Sequence, residues 1–541
     1  MNKLLKTIAL VGAFIAGVAT ADACTNFIVT RGASTDGSNM VTYAADSHGL
    51  YGSLYSYVPG KYTPFMDVTE WDTGRYIGKI AQQEVRYRTL GNSNEHSLFI
   101  TETTFGGRAE LEDPNGGIDY GSLIYITLQR CKTAREAIDM IVYLANTYGY
   151  CSSGESFSII DNDEAWIMEL IGKGPEDKGI VWVARRIPDG YVSAHANQAR
   201  ITTFPWNDPE NCLYAADVAD VARKFGWFEG ANEDFSFADA YAPLDFGAMR
   251  GCEARVWAFF RTVADDMDKY EDYAMGHNPA NRMPLWVMPR EKVSPKVLMD
   301  CMRDHYEGTK MDMTTDIGAG GEECPYRWRP MYFEVDGVEY CNERATATQQ
   351  TGFWLVGQAR PEKVGILWFG TDDAATSPLT PVYVNSQAVP ECLRTGNGTM
   401  LKYSDTSMFW ITNRVAQFAY LRYNLVGKHV RQYVDKWENA AFDAVEKADA
   451  AIAAAPTKKQ AKIATEFTVA MAERLFNHWV ELDKYLMVKY IDGNVKGEDA
   501  NGFIDNGNGK DIPGVIEMPG YSEKWKRAVA ADKGEILKVV K

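Results

Sequence analysis

Residues 19–46 read ATADACTNFIVTRGASTDGSNMVTYAAD. Two apolar runs, NFIVT from Asn26 and NMVTYAAD from Asn39, flank the Gly/Ser/Asp-rich stretch GASTDGS. Short apolar strands joined by turn residues specify a β-hairpin, with Cys24 at the mouth of its first strand. What precedes Cys24 reads differently: a basic start with Lys3 and Lys6, an apolar run over residues 8–19, then Ala21 and Ala23 around Asp22. That is a secretory leader with an A-x-A cleavage site, too short to span a membrane stably. Cleavage after Ala23 makes Cys24 the first residue of the mature chain. A lipoprotein leader also ends at a cysteine, but it usually carries leucine three residues upstream with small residues between. Ala21 and the acidic Asp22 argue against that alternative.

The 541-residue chain is longer than one compact core usually holds, so a large domain with an addition is expected. Its formal charge is −17, and losing Lys3, Lys6 and Asp22 with the leader makes the mature chain one unit more negative. Such a surface disfavours nucleic acid, which needs basic patches. No later apolar run approaches the roughly 20 residues of a membrane span. Nine cysteines occur: Cys24, Cys131, Cys151, Cys212, Cys252, Cys301, Cys324, Cys341 and Cys392. Setting Cys24 aside leaves an even number in a chain addressed to an oxidising compartment, which permits up to four disulfides, the alternative being that some are simply buried thiols. Cys151, in YGYCSSGESF, reads as a bridged structural cysteine. No C-x-x-C pair is present, which disfavours zinc-ribbon and thioredoxin-like readings.

Further along, SFSIID and WIMELIG flank the turn NDEA as a second hairpin, followed by GIVWVARRI and YVSAHANQARI. GFWLVGQA and KVGILWFGT add later sheet-like runs, all with branched and aromatic residues suited to packed sheets. Between the first two sheet regions, KTAREAIDMIVYLANTYGY carries a T-x-x-E capping box at Thr133 and Glu136. Its apolar stripe of Ala137, Ile138, Ile141, Leu144 and Ala145 specifies a helix packed on a sheet. The loop-rich region 205–340 is expected to shape a cleft. Residues 412–490 read as two long amphipathic helices broken at Pro456. Their apolar stripes suit packing on the core or on a second copy of the chain. The tail from Asp492 contains DGNVKGEDANGFIDNGNGKD, whose spacing fits no calcium loop and reads as a solvated segment.

No H-E-x-x-H, G-x-S-x-G or phosphate-loop motif occurs, and the seven histidines lack metal spacing. No metal or organic cofactor is therefore called for. An N-terminal cysteine needs neither, because its α-amine, with a pKa near 7.7–8.0, can act as base for its own thiol. Such a site needs a group to orient the amine and donors for the tetrahedral oxyanion.

At this level the chain resembles the dipeptidase A family of cysteine-type N-terminal nucleophile (Ntn) hydrolases, relatives of the secernins and more distantly of penicillin V acylase and bile salt hydrolase. The resemblance runs in order through CTNFIVTRGASTDGSNM, NEHSLFITETTFGGRAEL, KTAREAIDMIVYLANTYGY, GESFSIIDNDEAWIMEL, RIPDGYVSAHANQARI and SDTSMFWI, roughly residues 24–410. It implies an α+β fold, a four-layer αββα Ntn-hydrolase sandwich, here with a C-terminal helical hairpin, and hydrolysis of dipeptides or short peptides. The expected division is a signal peptide over 1–23, a catalytic domain over 24–410, the hairpin over 411–491 and a loop-rich tail over 492–541.

The resemblance also implies roles. Cys24 matches the nucleophile, Asp46 the carboxylate that holds the free amine, Asn197 an oxyanion-hole amide, and Arg255 an arginine that steadies the nucleophile. Glu102 in ITETTFGG is a candidate for the substrate's α-ammonium, with Thr103 or Thr104 adding a second oxyanion donor. One departure stands out: relatives often carry arginine shortly before the aspartate, where this chain has Tyr43. The expected protein is exported to the periplasm or medium and silent until its leader is removed. The alternatives are an N-acyl amidase of the acylase type and a non-catalytic surface lipoprotein anchored through Cys24.

Overall fold

The computed structural model describes residues 24–540, so the expected leader over 1–23 and its expected cleavage site lie outside the described residues. The opening hairpin forms as its turn chemistry requires. Strands Asn26–Val29 and Asn39–Asp46 pair antiparallel, with Ile28 opposite Val41 and Val29 opposite Met40. In the turn, the Asp36 carboxylate accepts the Ser38 N–H at 3.1 Å, and Gly37 adopts a φ of 74° that favours glycine.

This hairpin sits in the middle of a seven-stranded antiparallel sheet. The strand order is Trp286–Val287, Val192–His195, Asn26–Val29, Asn39–Asp46, Thr351–Ala359, Ile366–Thr371, Thr380–Tyr383. A second sheet of eight strands is built on Phe99–Gly106, Gly154–Ile160, Ala165–Gly172 and Ile180–Arg186. The hairpin's second strand lies against Phe99–Gly106 and Gly154–Ile160, so the two sheets face each other. Helices Tyr120–Leu128 and Ala134–Tyr148 pack on the eight-stranded sheet, and Ala254–Val263 and Pro295–Cys301 on the seven-stranded one. The result is an α+β architecture. Ala165–Gly172 and Thr351–Ala359 are buried at every residue, which is why they read as unbroken apolar runs and not as half-exposed alternation.

Ala134–Tyr148 starts at the expected capping box, where Thr133 accepts from the Glu136 N–H and the Glu136 carboxylate accepts the Thr133 N–H. All five stripe residues are buried. Thr133→Ala is expected to cost about 1 kcal/mol, read as a lower urea midpoint with unchanged slope.

Three helices follow the sheets: Met408–Leu421, Tyr423–Ala454 and Thr457–Tyr490. The break at Pro456 stands where the sequence put it, and a third helix precedes the long pair. The pair is fastened to the last strand and its flanks. Thr468 Oγ1 accepts the Tyr383 N–H at 3.1 Å, the Trp437 indole donates to the Leu379 carbonyl at 2.9 Å, and Arg303 pairs with the fully buried Glu438. Beyond Tyr490 come short paired strands and the helix Glu523–Leu537. Among the described residues no helix is long and apolar enough to cross a membrane, and no cluster of His, Cys, Asp or Glu could hold a metal.

The cysteine expectation needs correction. None of Cys131, Cys151, Cys212, Cys252, Cys301, Cys324, Cys341 or Cys392 is joined in a disulfide. They sit apart along the chain; Cys131, Cys212, Cys301 and Cys392 are buried and the other four half-buried, with Cys131 donating to the Glu136 carbonyl and Cys392 to that of Ala472. Burial pushes the thiols of Cys131, Cys151 and Cys392 up to about 12, which makes them unreactive near neutral pH.

Candidate active site

Thr25 bridges to Ala44, so Cys24 comes opposite Ala45 at the open end of the hairpin. The alternation of side chains then puts Cys24 on the same face as Tyr43. Cys24 is buried, with 4% of its surface exposed. Its Sγ lies 3.6 Å from Glu102 Oε1 and 3.9 Å from the Tyr43 hydroxyl, which itself donates to Glu102 Oε1. Burial, followed by the fields of Cys24 and Glu102, holds the Tyr43 phenol far above its ordinary pKa. Tyr43 is therefore a neutral donor, and the positive charge near the nucleophile comes from arginines.

Arg255 is one source. A π-helical turn, Ala248–Glu253, leads directly into the helix Ala254–Val263 and delivers Arg255 in its first turn. Arg255 is 1% exposed. Nη1 donates to the Cys24 carbonyl at 2.6 Å and to Thr25 Oγ1 at 2.8 Å. Nη2 donates to the Ala196 carbonyl at 3.1 Å and to Asn197 Oδ1 at 2.9 Å. One side chain thus ties the mouth of the first strand to Asn197. Asn197 itself has a φ of 60°, and its Nδ2 donates to the Thr104 carbonyl at 2.7 Å. Asparagine tolerates this left-handed conformation better than most residues do.

Arg344 is the second source. It pairs with Asp46 Oδ2 at 2.5 Å, while Thr351 donates to Asp46 Oδ1 at 2.6 Å. Burial still raises the Asp46 carboxyl above its ordinary value, against the opposing pull of Arg344. Asp46 ends the second strand one step past Ala45, on the face that Thr25 shares and opposite the Cys24 side chain. The α-nitrogen of Cys24 is a backbone atom and is not confined to either face.

Glu102 and Thr104 share one face of the strand Phe99–Gly106, and Glu155, register partner of Thr104, joins them from the neighbouring strand. Thr104 Oγ1 donates to Glu155 Oε1 at 2.6 Å. Both glutamates are buried, at 1% and 0% exposure, and burial is the main reason their carboxyls are raised, that of Glu102 to about 7 and that of Glu155 well above the ordinary range. Thr103 stands apart on the opposite face, with its hydroxyl on His195 Nδ1 at 2.7 Å while Ser158 meets His195 Nε2 at 2.7 Å. Burial pushes His195 down to about 3, so its ring stays neutral and ties the two sheets together.

The structure therefore groups Cys24, Asn197, Arg255, Glu102 and Thr104 around one strand end, with Asp46 beside them on Arg344. Three further residues of this neighbourhood were not found by reading the sequence: Glu155, Arg344 and Tyr43 in its present role. Glu155 carried a faint signal as an acidic residue inside an apolar strand, GESFSII. Arg344 lies 298 residues from its partner and carried none.

Comparison with known proteins follows the same line. Dipeptidase A of Lactobacillus helveticus is 23% identical over 437 residues, covering 75% of this chain and 83% of that protein. A dipeptidase of Bifidobacterium longum (strain NCC 2705) is 24% identical over 460 residues, covering 76% and 80%. A probable dipeptidase of Salmonella dublin is 25% identical over 315 residues, covering 55% and 69%. Residues 55–436 match the profile described as peptidase family C69, and across that span, most of the chain, the protein belongs to that family.

Proposed function

We propose that this chain is an exported cysteine-type dipeptidase, an N-terminal nucleophile hydrolase that uses Cys24 and cleaves short peptides. Membership of peptidase family C69 and relatives named dipeptidase support the substrate class. Two facing sheets with helices outside are the layering that an αββα Ntn sandwich requires. The observation that carries the reading is the setting of Cys24: a strand-end cysteine whose carbonyl is gripped by Arg255 and whose sulfur faces a carboxyl group.

In the proposed reaction, removal of residues 1–23 frees the Cys24 amine, which Asp46 holds. The amine takes the thiol proton as Sγ attacks the peptide carbonyl, then returns it to the departing amino group. The oxyanion rests on the Asn197 amide and a backbone N–H, and water hydrolyses the thioester. An acylated backbone nitrogen cannot act as the base, so the uncut chain is inactive. A buried carboxyl cluster beside Sγ suits a peptide terminus better than the apolar pocket an N-acyl amidase needs.

Protein recovered from the periplasm or medium is expected to begin at Cys24 by intact mass and to hydrolyse dipeptides. A variant with Ala21 and Ala23 changed to leucine should stay uncut and inactive. A diacylglyceryl adduct on Cys24, or full activity of the uncut chain, would overturn the proposal.

A further inference from the structure

Asn197 stands in a turn that follows the strand Val192–His195, with its backbone in the left-handed region at a φ of 60°. A conformation so sparsely populated persists only where the surroundings over-determine it. Arg255 fastens the turn at its tip, through the Ala196 carbonyl and Asn197 Oδ1. One such fastening would let the turn pivot about it, and the base of the turn is held separately by Arg200. The Arg200 guanidinium reaches back to the Ala194 carbonyl at 2.9 Å, which closes the turn on itself. It also donates to the carbonyls of Pro284 at 2.8 Å and Leu285 at 3.2 Å, which lead into the edge strand Trp286–Val287.

Two buried carboxylates hold Arg200 in turn. Its Nε pairs with Glu253 Oε1 at 2.9 Å, both side chains being 2% exposed, and the Tyr273 hydroxyl donates to the same carboxylate at 3.2 Å. Glu253 and Arg255 stand two residues apart, where the π-helical turn runs into the helix Ala254–Val263. The tip and the base of the Asn197 turn are therefore both referenced to one helix start, the same one that grips the Cys24 carbonyl. Glu169 adds a hold from the opposing sheet. It is the one acid in AWIMELIG, the strand Ala165–Gly172, and accepts the Arg200 N–H at 2.5 Å on Oε1 and the Ile201 N–H at 3.1 Å on Oε2.

Buried charges are costly, and replacing a buried ion pair by apolar residues is often neutral or stabilising. Stability therefore does not account for three charged side chains converging on one turn, whereas a need for fixed geometry does. We propose that Arg200, held by Glu253 and Glu169, is the positioning residue of the oxyanion donor: it sets where the Asn197 amide stands relative to Cys24 Sγ without touching the substrate. This deepens the function proposed above and rests on Asn197 serving there as oxyanion donor. Because the oxyanion forms only during the reaction, a misplaced donor lowers kcat and leaves KM nearly unchanged.

A double-mutant cycle on the leaderless protein tests the role, with alanyl-alanine as substrate at pH 8, above the value of about 7 to which burial raises the Glu169 carboxyl. Arg200→Lys keeps a charge opposite Glu253 but loses the planar fork, and should lower kcat about ten- to a hundredfold with KM changed less than about twofold. Glu169→Leu should lower kcat similarly, and Glu169→Gln, which keeps the volume and one acceptor, by a smaller factor. Asn197→Ala alone should cost about 10²–10³ in kcat. Since the positioning acts through Asn197, adding Arg200→Lys or either Glu169 substitution to Asn197→Ala should lower kcat by less than about twofold more. Losses that multiply in full on top of Asn197→Ala, an effect confined to KM, or an unchanged kcat in Arg200→Lys would overturn the positioning role and leave the proposed function standing. Full kcat in Asn197→Ala, or no dipeptide hydrolysis by the leaderless wild type, would overturn the reading beneath it and this role together. All rates are read well below the thermal transition of each variant. If Arg200→Lys or Glu169→Leu fails to fold, Glu169→Gln completes the same cycle, and its full multiplication with Asn197→Ala overturns the role.

Discussion

Cys24→Ala is expected to reduce kcat/KM for dipeptides by about 10⁴-fold or more, the order that follows deletion of an enzymatic nucleophile. The loss should fall on kcat, since the sulfur bonds to substrate only during the reaction. Stability should barely change. The thiol's contacts to Glu102 at 3.6 Å and Tyr43 at 3.9 Å are long, and Tyr43 keeps its hydrogen bond to Glu102 without it. Stopped assays on the leaderless protein, paired with thermal melts, separate the two effects. Activity within a hundredfold of wild type would move suspicion to another thiol, although burial pushes those of Cys131, Cys151 and Cys392 to about 12.

Arg255→Met should affect stability and activity together. The guanidinium is fully buried and donates to five oxygens: the carbonyls of Gly251, Cys24 and Ala196, the Thr25 hydroxyl and the Asn197 side chain. Methionine fills much of the volume but leaves these acceptors without their donor. Leaving several buried acceptors without their donor costs about 1–3 kcal/mol for each one not re-satisfied. Activity should fall about a hundredfold even in the folded fraction, because a shift of the nucleophile by about 1 Å is enough to do so. Urea denaturation reads the first effect, and kcat on protein held well below its transition reads the second. A fall in stability with full kcat would reduce Arg255 to a structural tie. Arg255→Lys keeps the charge but cannot donate in a planar fork, so it should recover only part of either quantity.

The elements governed by local chemistry were legible in the sequence. The first hairpin followed from its turn residues, the helix Ala134–Tyr148 from its capping box and stripe, and the break at Pro456 from the proline ring. The candidate site was nominated through the family resemblance, and the structure brings Cys24, Asn197, Arg255, Glu102 and Thr104 into one neighbourhood. Glu155 joins Glu102 through the register between two strands about 50 residues apart, and no local pattern encodes that register. Arg344 meets Asp46 across most of the chain. Tyr43 drew notice only through the resemblance, and its partner Glu102 belongs to the opposing sheet. The misjudged cysteines illustrate the same limit, because an even count says which pairings are permitted and nothing about which thiols come within reach.

The grip of Arg255 on the Cys24 carbonyl has a consequence for maturation. The contact is on the C-terminal side of the residue, while the proposed cut is on its N-terminal side. The Arg255 contact that seats the Cys24 carbonyl is therefore one that cleavage neither makes nor breaks. Under the proposed maturation the precursor is already assembled around its future catalytic residue, and activation changes one atom's chemistry, from amide nitrogen to amine, with no rearrangement of the fold. Such a zymogen would gain activity at the rate of proteolysis itself, without a refolding delay.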